Sequence, residues 1–455
     1  MKSSGAIWRI GIILVFICSI FLVNWQADRT NFAFIAIFYS ISFIAYFLLL
    51  RESKLSFKHL AFIAIGAQVV SMLYVPNLSD DYFRFMWDGE ITLQGINPFD
   101  FKPQELTERA FMESAYMQEV YAGVSDLSRK NYSCYPPVNQ LYFIVPAALS
   151  SSISVNVIVM KLLIVLTELA GVFYLRKLLI HFKVDPRRLW IVFLNPLLII
   201  ECTGNVHFEG VMLSLLFISL YFLFTSRLLL GAIIFALAVQ IKLVPLILLP
   251  FFLRYFPWKK AFLMYFVIGI TVIGLGFTQL DSENFGNFLQ SLRLYFQNFG
   301  FNSFLFYNYN KFIQLFTTYD PLAFTGPIMS FLVMVTILYY ALRKASTDWK
   351  LLLERMLFGF FLYLIMGATL HPWYVIPLLG LSLFTNYAFA MMWSFLIFFS
   401  YFFYSIGDAG SFEVRLITSI EYILLLGYFI YEWRKGGSPF KFLRIDCYLQ
   451  PNPES

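Results

Sequence analysis

Ser79-Asp80-Asp81-Tyr82-Phe83-Arg84-Phe85-Met86-Trp87-Asp88-Gly89 places three carboxylates and a guanidinium directly after an apolar run, in a chain that is otherwise strongly hydrophobic. Charge that close to lipid is costly and usually has a purpose. If Asp81 to Gln94 is helical, a step of about 100° per residue puts Asp81, Arg84, Asp88 and Thr92 on one stripe, with Tyr82, Met86 and Leu93 roughly opposite. That pattern describes an interfacial helix with a charged face. Asp80 and Asp81 are neighbours, so their side chains diverge and their tasks differ; either one, or Ser79, could instead serve as the helix cap.

The surroundings of this stretch decide the fold class. Hydrophobic residues make up 60% of the 455 and charged residues only 13%, against about 25% charged in an ordinary soluble domain. The chain is therefore expected to be an all-α polytopic membrane protein. The net charge of +6 does not imply nucleic acid, because in such a chain the placement of Lys and Arg matters more than their sum. Cys18, Cys134, Cys202 and Cys447 show neither metal-like spacing nor a disulfide framework, and whether Cys134 and Cys202 pair is left open.

Three apolar segments, Ile7 to Val23, Phe32 to Leu50 and Leu60 to Val75, precede the charged stretch, and the basic loop Arg51, Lys54, Lys58 separates the second from the third. By the positive-inside rule the N-terminus and that loop are cytoplasmic, and Pro76 to about Pro136 is outside. This outer segment carries ten acidic residues against five basic ones, and a loop of that length is usually functional or disordered. Its aromatic content argues for order.

Later basic clusters at 176–188, 254–260, 343–355 and 434–444 fit one cytoplasmic face, with spans near 155–175, 189–203, 208–225, 261–279, 322–342, 351–367, 374–386, 388–405 and 416–432. Pro137 to Leu149 is too short to cross, and Leu228 to Leu253 leaves and returns to one side in too few residues. Both read as partly inserted or broken helices, with Lys242 and Pro245 at the second break. The expected total is about 11 to 14 transmembrane helices. The chain divides into three first spans (1–75), an outer catalytic loop with interfacial helices (76–136), the remaining membrane helices (137–432) and a cytoplasmic tail (433–455), with both termini inside.

This topology brings several motifs to one outer basin: Asp80 to Asp88, Tyr135-Pro136-Pro137, Asn205 to Glu209, the loop 281–302, His371-Pro372-Trp373-Tyr374 and Gly407-Asp408, with Lys242 reaching it from below. Each has a bland alternative. His207 could cap a helix end rather than join Glu209 in binding. Lys242 could snorkel, although an ammonium at a helix centre costs about 2.5 to 3.5 kcal/mol on insertion scales. Arg293 and Tyr295 suit a phosphate or merely lipid headgroups, and Trp373 and Tyr374 suit interfacial anchoring as well as a ligand. Taken together, an outward carboxylate, a membrane-depth lysine and aromatic rings fit transfer from a lipid-phosphate-linked substrate to a hydroxyl acceptor. The carboxylate would act as general base and cations would steady the departing phosphate.

The run from Asp80-Asp81-Tyr82-Phe83-Arg84-Phe85 through Trp87-Asp88-Gly89 to Gly95-Ile96-Asn97-Pro98-Phe99, followed by Tyr135-Pro136-Pro137, resembles the first outer loop of the GT-C superfamily glycosyltransferases. The likeness is especially to polyprenyl-phosphate mannosyltransferases, among them bacterial members and the enzyme that adds the first mannose in GPI-anchor synthesis. There an Asp-x-Asp-Tyr precedes a Gly-x-x-Pro-Tyr and a later Tyr-x-Pro. Asp81 takes the second aspartate of that pattern, Ser79 the first, and Asp80 lies between, so the base is Asp81 or Asp80. Asn195-Pro196, Asn205 to Glu209, Lys242 to Pro245, Phe299 to Asn302 and His371 to Tyr374 resemble further blocks of bacterial members.

The resemblance implies a GT-C-like fold and an inverting hexosyltransferase of the bacterial inner membrane. Its donor would be a polyprenyl-phosphate sugar, usually mannose, and its acceptor an outer-face glycan or glycolipid; no cofactor and no nucleotide sugar are implied, and a divalent metal is not favoured. In that reading Asp81 is the favoured base and Asp80 its understudy, Arg84, Lys242 and His371 meet the donor phosphate, and Asp88 and Glu209 orient hydroxyls. Tyr135, His207, Arg293 and Tyr374 complete the substrate-binding candidates. Two rivals remain: a flippase or transporter of lipid-linked sugars, and a polysaccharide ligase or polymerase. A transporter leaves unexplained why titratable groups crowd one face rather than the midplane.

Overall fold

The structure, a computed structural model, describes residues 2–26, 28–297, 300–317, 322–343 and 345–437; most of the 433–455 tail, Phe299 and the side chain of Tyr295 lie outside the described residues. The chain is helical, and among the described residues the sole β-type pairing is a bridge between Phe301 and Thr369. Among the described residues seven helices are long and apolar enough to cross a membrane: Gly5–Gln26, Phe32–Arg51, Ile153–His181, Trp258–Gly276, Phe324–Leu342, Phe389–Ile406 and Phe412–Arg434. Their apolar residues run all the way round rather than along one stripe, which suits helices with lipid on one side and protein on the other. Ile37, Ile44, Phe266 and Ile270 are accordingly exposed. This is a polytopic all-α membrane protein.

The larger number of spans expected from sequence included helices that fail this test of length or composition. Phe57–Met72, Leu228–Ile241 and Pro372–Ser382 are apolar but short, and Trp349–Met366 carries Lys350, Glu354 and Arg355. The segments 189–203 and 208–225 read as successive spans; the structure instead joins Pro196–Gly204 and Glu209–Phe224 at a bend of 111°. The cause is local. A π-helical turn over Ile199–Gly204 ends the first piece, and Val206 then adopts a left-handed φ of 62°, which no continuing helix allows.

The two short segments flagged as broken helices are built as such. Pro137–Leu149 is a separate helix of 13 residues, and Leu228–Ile241 stops at Lys242, whose backbone is extended (φ −149°, ψ 140°). Pro245 then permits only a short 3-10 turn over Val244–Leu248, as expected where a proline removes the backbone donor.

Asp81–Leu93 is the helix that positions the site. Its start is fixed by Ser79 Oγ, which accepts from the Asp81 amide at 3.3 Å, while the Asp80 side chain makes no cap bond. The helix lies against Pro137–Leu149 so closely that a Cβ on Gly89 would collide with the Phe143 carbonyl. Phe85 stacks on Phe143 (4.7 Å, 5°) and meets Phe208 edge-on at 5.4 Å. The rest of the long 94–136 segment is ordered by amide and hydroxyl bonds to residues 279–291: Asn97 Nδ2 to the Gln279 carbonyl, Asn284 Nδ2 to Asp100 Oδ1, Asn287 Nδ2 to the Phe99 carbonyl and Ser291 Oγ to the Tyr132 carbonyl.

Candidate active site

A cavity of about 540 Å³ opens at the N-terminal end of Asp81–Leu93. Its lining includes the polar side chains of Arg29, Asp80, Asp81, Glu209, Lys242 and His371, the apolar side chains of Leu243, Val244, Ile247, Phe360 and Leu364, and Tyr135, Tyr363, Tyr374 and Tyr404. Seven of the eleven catalytic and substrate-binding candidates therefore meet here: Asp80, Asp81, Tyr135, Glu209, Lys242, His371 and Tyr374.

The broken helices explain how a lysine and a carboxylate reach this depth. Lys242 sits where Leu228–Ile241 ends, and Glu209 is the first residue of Glu209–Phe224, where the helix dipole favours a carboxylate. Lys242 Nζ donates to Glu209 Oε1 at 2.5 Å, with side-chain exposures of 19% and 3%. The ammonium also lies 5.8 Å from the centre of the Tyr374 ring. A bare ammonium would be expensive in these surroundings, so the paired carboxylate is what allows it to stay.

Asp80 and Asp81 point to different partners, as neighbours on a helix start must. Asp80 Oδ2 accepts from Arg29 Nη2 at 3.2 Å, and the Arg29 guanidinium lies 5.1 Å above the Tyr404 ring. Asp81 keeps only a partial opening to the cavity. Burial, followed by the Asp80 carboxylate, pushes its carboxyl up to about 6, with Lys242 pulling the other way. A carboxyl tuned towards neutrality while still ionised at pH 7 is suited to take a proton from a hydroxyl.

His371 is held by its neighbours in sequence and in space. Pro372 keeps it extended (φ −80°, ψ 156°), the conformation that a following proline favours. Its ring stacks on Trp373 (4.5 Å, 3°) on one side and on Phe301 (4.7 Å, 23°) on the other. The Phe301 backbone pairs with Ala368 and Leu370 at 3.2 and 2.8 Å, which docks the 300–303 turn on this wall.

Four of the sequence candidates lie elsewhere. Arg84 Nε donates to Asp88 Oδ1 at 2.8 Å, and Arg84 Nη1 donates to the carbonyls of Ser128 and Asn131 at 2.7 and 2.8 Å. Asp88 Oδ2 also accepts from Ser133 Oγ at 2.6 Å. The charged stripe thus clamps the 128–133 segment onto the helix, and neither residue lines the large cavity. His207 stacks behind Trp373 at 3.5 Å, and its amide bonds the Glu201 carbonyl, so it forms part of the wall behind the cavity lining. Arg293 is exposed on Phe285–Gln297, while its neighbour Leu292 reaches the cavity.

Sequence reasoning missed Arg29, Tyr363 and Tyr404. For Arg29 a signal existed: a lone arginine just after the first span, on the face left poor in basic residues, needs a reason and a carboxylate partner. The tyrosines, inside apolar runs, carry no such mark. No disulfide joins Cys134 to Cys202. Among the described residues no group of three or more His, Cys, Asp or Glu is placed to hold a metal ion.

A family model described as "Alpha-(1->6)-mannopyranosyltransferase, N-terminal domain" matches residues 19–256, more than half of the chain and all of the elements that bring Asp80, Asp81, Glu209 and Lys242 together. A similar curated protein is alpha-(1->6)-mannopyranosyltransferase A of Corynebacterium glutamicum, 25% identical over 188 residues. That stretch spans 41% of this chain and 36% of the relative, so the match covers about a third of the relative's length. No solved structure matches.

Proposed function

The chain belongs to the alpha-(1->6)-mannopyranosyltransferase family, and from that premise we propose that it moves a mannosyl residue from a polyprenyl-phosphate donor to a hydroxyl of a glycan or glycolipid acceptor. The observation that carries this reading is the placement of Asp81: a partly buried carboxylate at a cavity lined both by the Lys242–Glu209 pair and by the apolar side chains of Leu243, Val244, Ile247 and Leu364. Such a cavity suits a ligand with an anionic, hydroxylated head and a hydrocarbon tail.

In the reaction, the acceptor oxygen attacks the anomeric carbon as the bond from that carbon to the phosphate oxygen breaks. Asp81 takes the hydroxyl proton, and polyprenyl monophosphate departs with the bonding electron pair. Lys242 meets the charge that develops on the leaving phosphate, with the His371 ring beside it. A single displacement inverts the anomeric centre, so an α product requires a β-linked donor. Glu209 holds Lys242 in place, and Tyr374 and Tyr135 offer ring faces to the sugar. No metal enters this scheme. The acidic 76–136 segment and the basic clusters on the other loops support an outer-face site and cytoplasmic termini.

The test is donor choice. Purified protein would be given a short α-mannoside acceptor with radiolabelled mannose supplied as β-polyprenyl phosphate or as nucleotide sugar. Label entering the acceptor from the lipid donor alone, in α linkage, is the expected outcome. Label arriving only from the nucleotide sugar would overturn the reading, as would movement of lipid-linked mannose across liposomes without any transfer.

A further inference from the structure

Four cations were candidates or neighbours for an anion at this site, and the structure separates them by what already holds them. Arg84 is 5% exposed and committed to Asp88 and two carbonyls. Arg293 is exposed and outside the cavity lining. Lys242 is bound at 2.5 Å to a carboxylate that is 3% exposed, a pair that is costly to open, so it meets the leaving phosphate as a charge held in place and exchanges no partner. Arg29 differs from all three. One bond, Nη2 to Asp80 Oδ2 at 3.2 Å, joins it to a partner, and both side chains are 35% exposed at the cavity lining.

An ion pair this open is worth little to the protein and yields readily to a better acceptor. A phosphate is such an acceptor, because it can take two parallel N–H bonds from a guanidinium where Asp80 takes one. The Tyr404 ring, 5.1 Å from the guanidinium, holds the cation through its face rather than through a hydrogen bond.

We propose that Arg29 is a direct ligand of the donor's phosphate and reaches it by exchanging partners, leaving Asp80 as the lipid-phosphate head enters the cavity. This rests on the polyprenyl-phosphate reading above. Asp80 is then a competitor for the guanidinium before the donor arrives, so its charge weakens donor binding. That separates its task from that of Asp81, next to it in sequence.

The experiment measures binding of polyprenyl monophosphate, and of the neutral polyprenol as control, to the full-length protein in micelles, for wild type, Arg29→Lys and Asp80→Asn. Arg29→Lys keeps the charge but loses the fork, and should weaken monophosphate binding about fivefold while leaving polyprenol unchanged. Asp80→Asn should tighten monophosphate binding about two- to fivefold. Arg29→Lys binding like wild type would reduce Arg29 to a distant charge and overturn the proposal. Asp80→Asn binding more weakly would make the pair a structural clamp and overturn the exchange; equal loss of polyprenol binding in either variant would do the same. A wild type that binds polyprenol but no monophosphate would sink the donor reading itself, a result distinct from a wild type that binds and an Arg29→Lys variant that does not care.

Discussion

Replacing Asp81 by Asn should make the protein more stable at neutral pH while abolishing its activity. Burial and the neighbouring Asp80 raise the Asp81 carboxyl from 3.8 to about 6. The folded state therefore holds its proton more tightly than the unfolded chain, and stability contributed by this group falls as pH rises from about 4 to about 6. A rise of that size corresponds to about 3 kcal/mol, an upper limit because Asp81 is partly open to the cavity. The amide of the variant carries no such charge, so Asp81→Asn should exceed wild type by about 2 to 3 kcal/mol at pH 7.5 and match it near pH 4. Denaturant unfolding of both proteins in the same micelles, followed from pH 4 to 8, reads this difference directly. If Asp81 is the base proposed above, the transfer rate of wild type should fall about tenfold per pH unit below about 6, where its carboxylate becomes protonated. A variant that is equally or less stable than wild type across the whole range would refute the claim that Asp81 is held as an electrostatically costly carboxylate.

Three other perturbations test the surrounding structure. Glu209→Gln and Lys242→Met should each destabilise the protein and stop transfer, whereas the double variant should recover about 2 kcal/mol of the summed loss in a double-mutant cycle; strict additivity would mean the pair is not coupled. Arg84→Ala leaves Asp88 buried without its cation and should cost about 3 to 5 kcal/mol, seen as faster proteolysis within 128–133, with donor affinity unchanged in the protein that remains folded. Gly89→Ala drives a methyl into the Phe143 carbonyl and should cost about 1 to 3 kcal/mol, read as a lower unfolding midpoint; an unchanged midpoint would contradict the close approach of the two helices.

The fold class was legible because lipid imposes all-round apolarity over long stretches, and broken helices were legible because a membrane-depth lysine followed by Pro245 cannot continue a span. The bend at Asn205–Phe208 was not, since the π-helical turn and the left-handed Val206 depend on packing rather than on any breaker residue. In the site, Asp81, Glu209, Lys242 and His371 stood out because titratable groups are rare in such a chain. Helical periodicity put Arg84 and Asp88 on the stripe of Asp81, but a stripe gives direction and not the identity of what it faces; the 128–133 segment folds back to meet its lower half. Arg29 was marked only by standing alone after the first span; its partner lies about fifty residues away, beyond the reach of any local spacing.

The most direct measurement compares donor binding and mannosyl transfer by wild type and Asp81→Asn, using radiolabelled polyprenyl-phosphate mannose and a short mannoside acceptor at pH 7.5. The expected result is a variant that binds donor about as well as wild type and transfers nothing. Transfer by Asp81→Asn at a rate near that of wild type would contradict the assignment of Asp81 as the base and, with it, the mechanism built on this cavity.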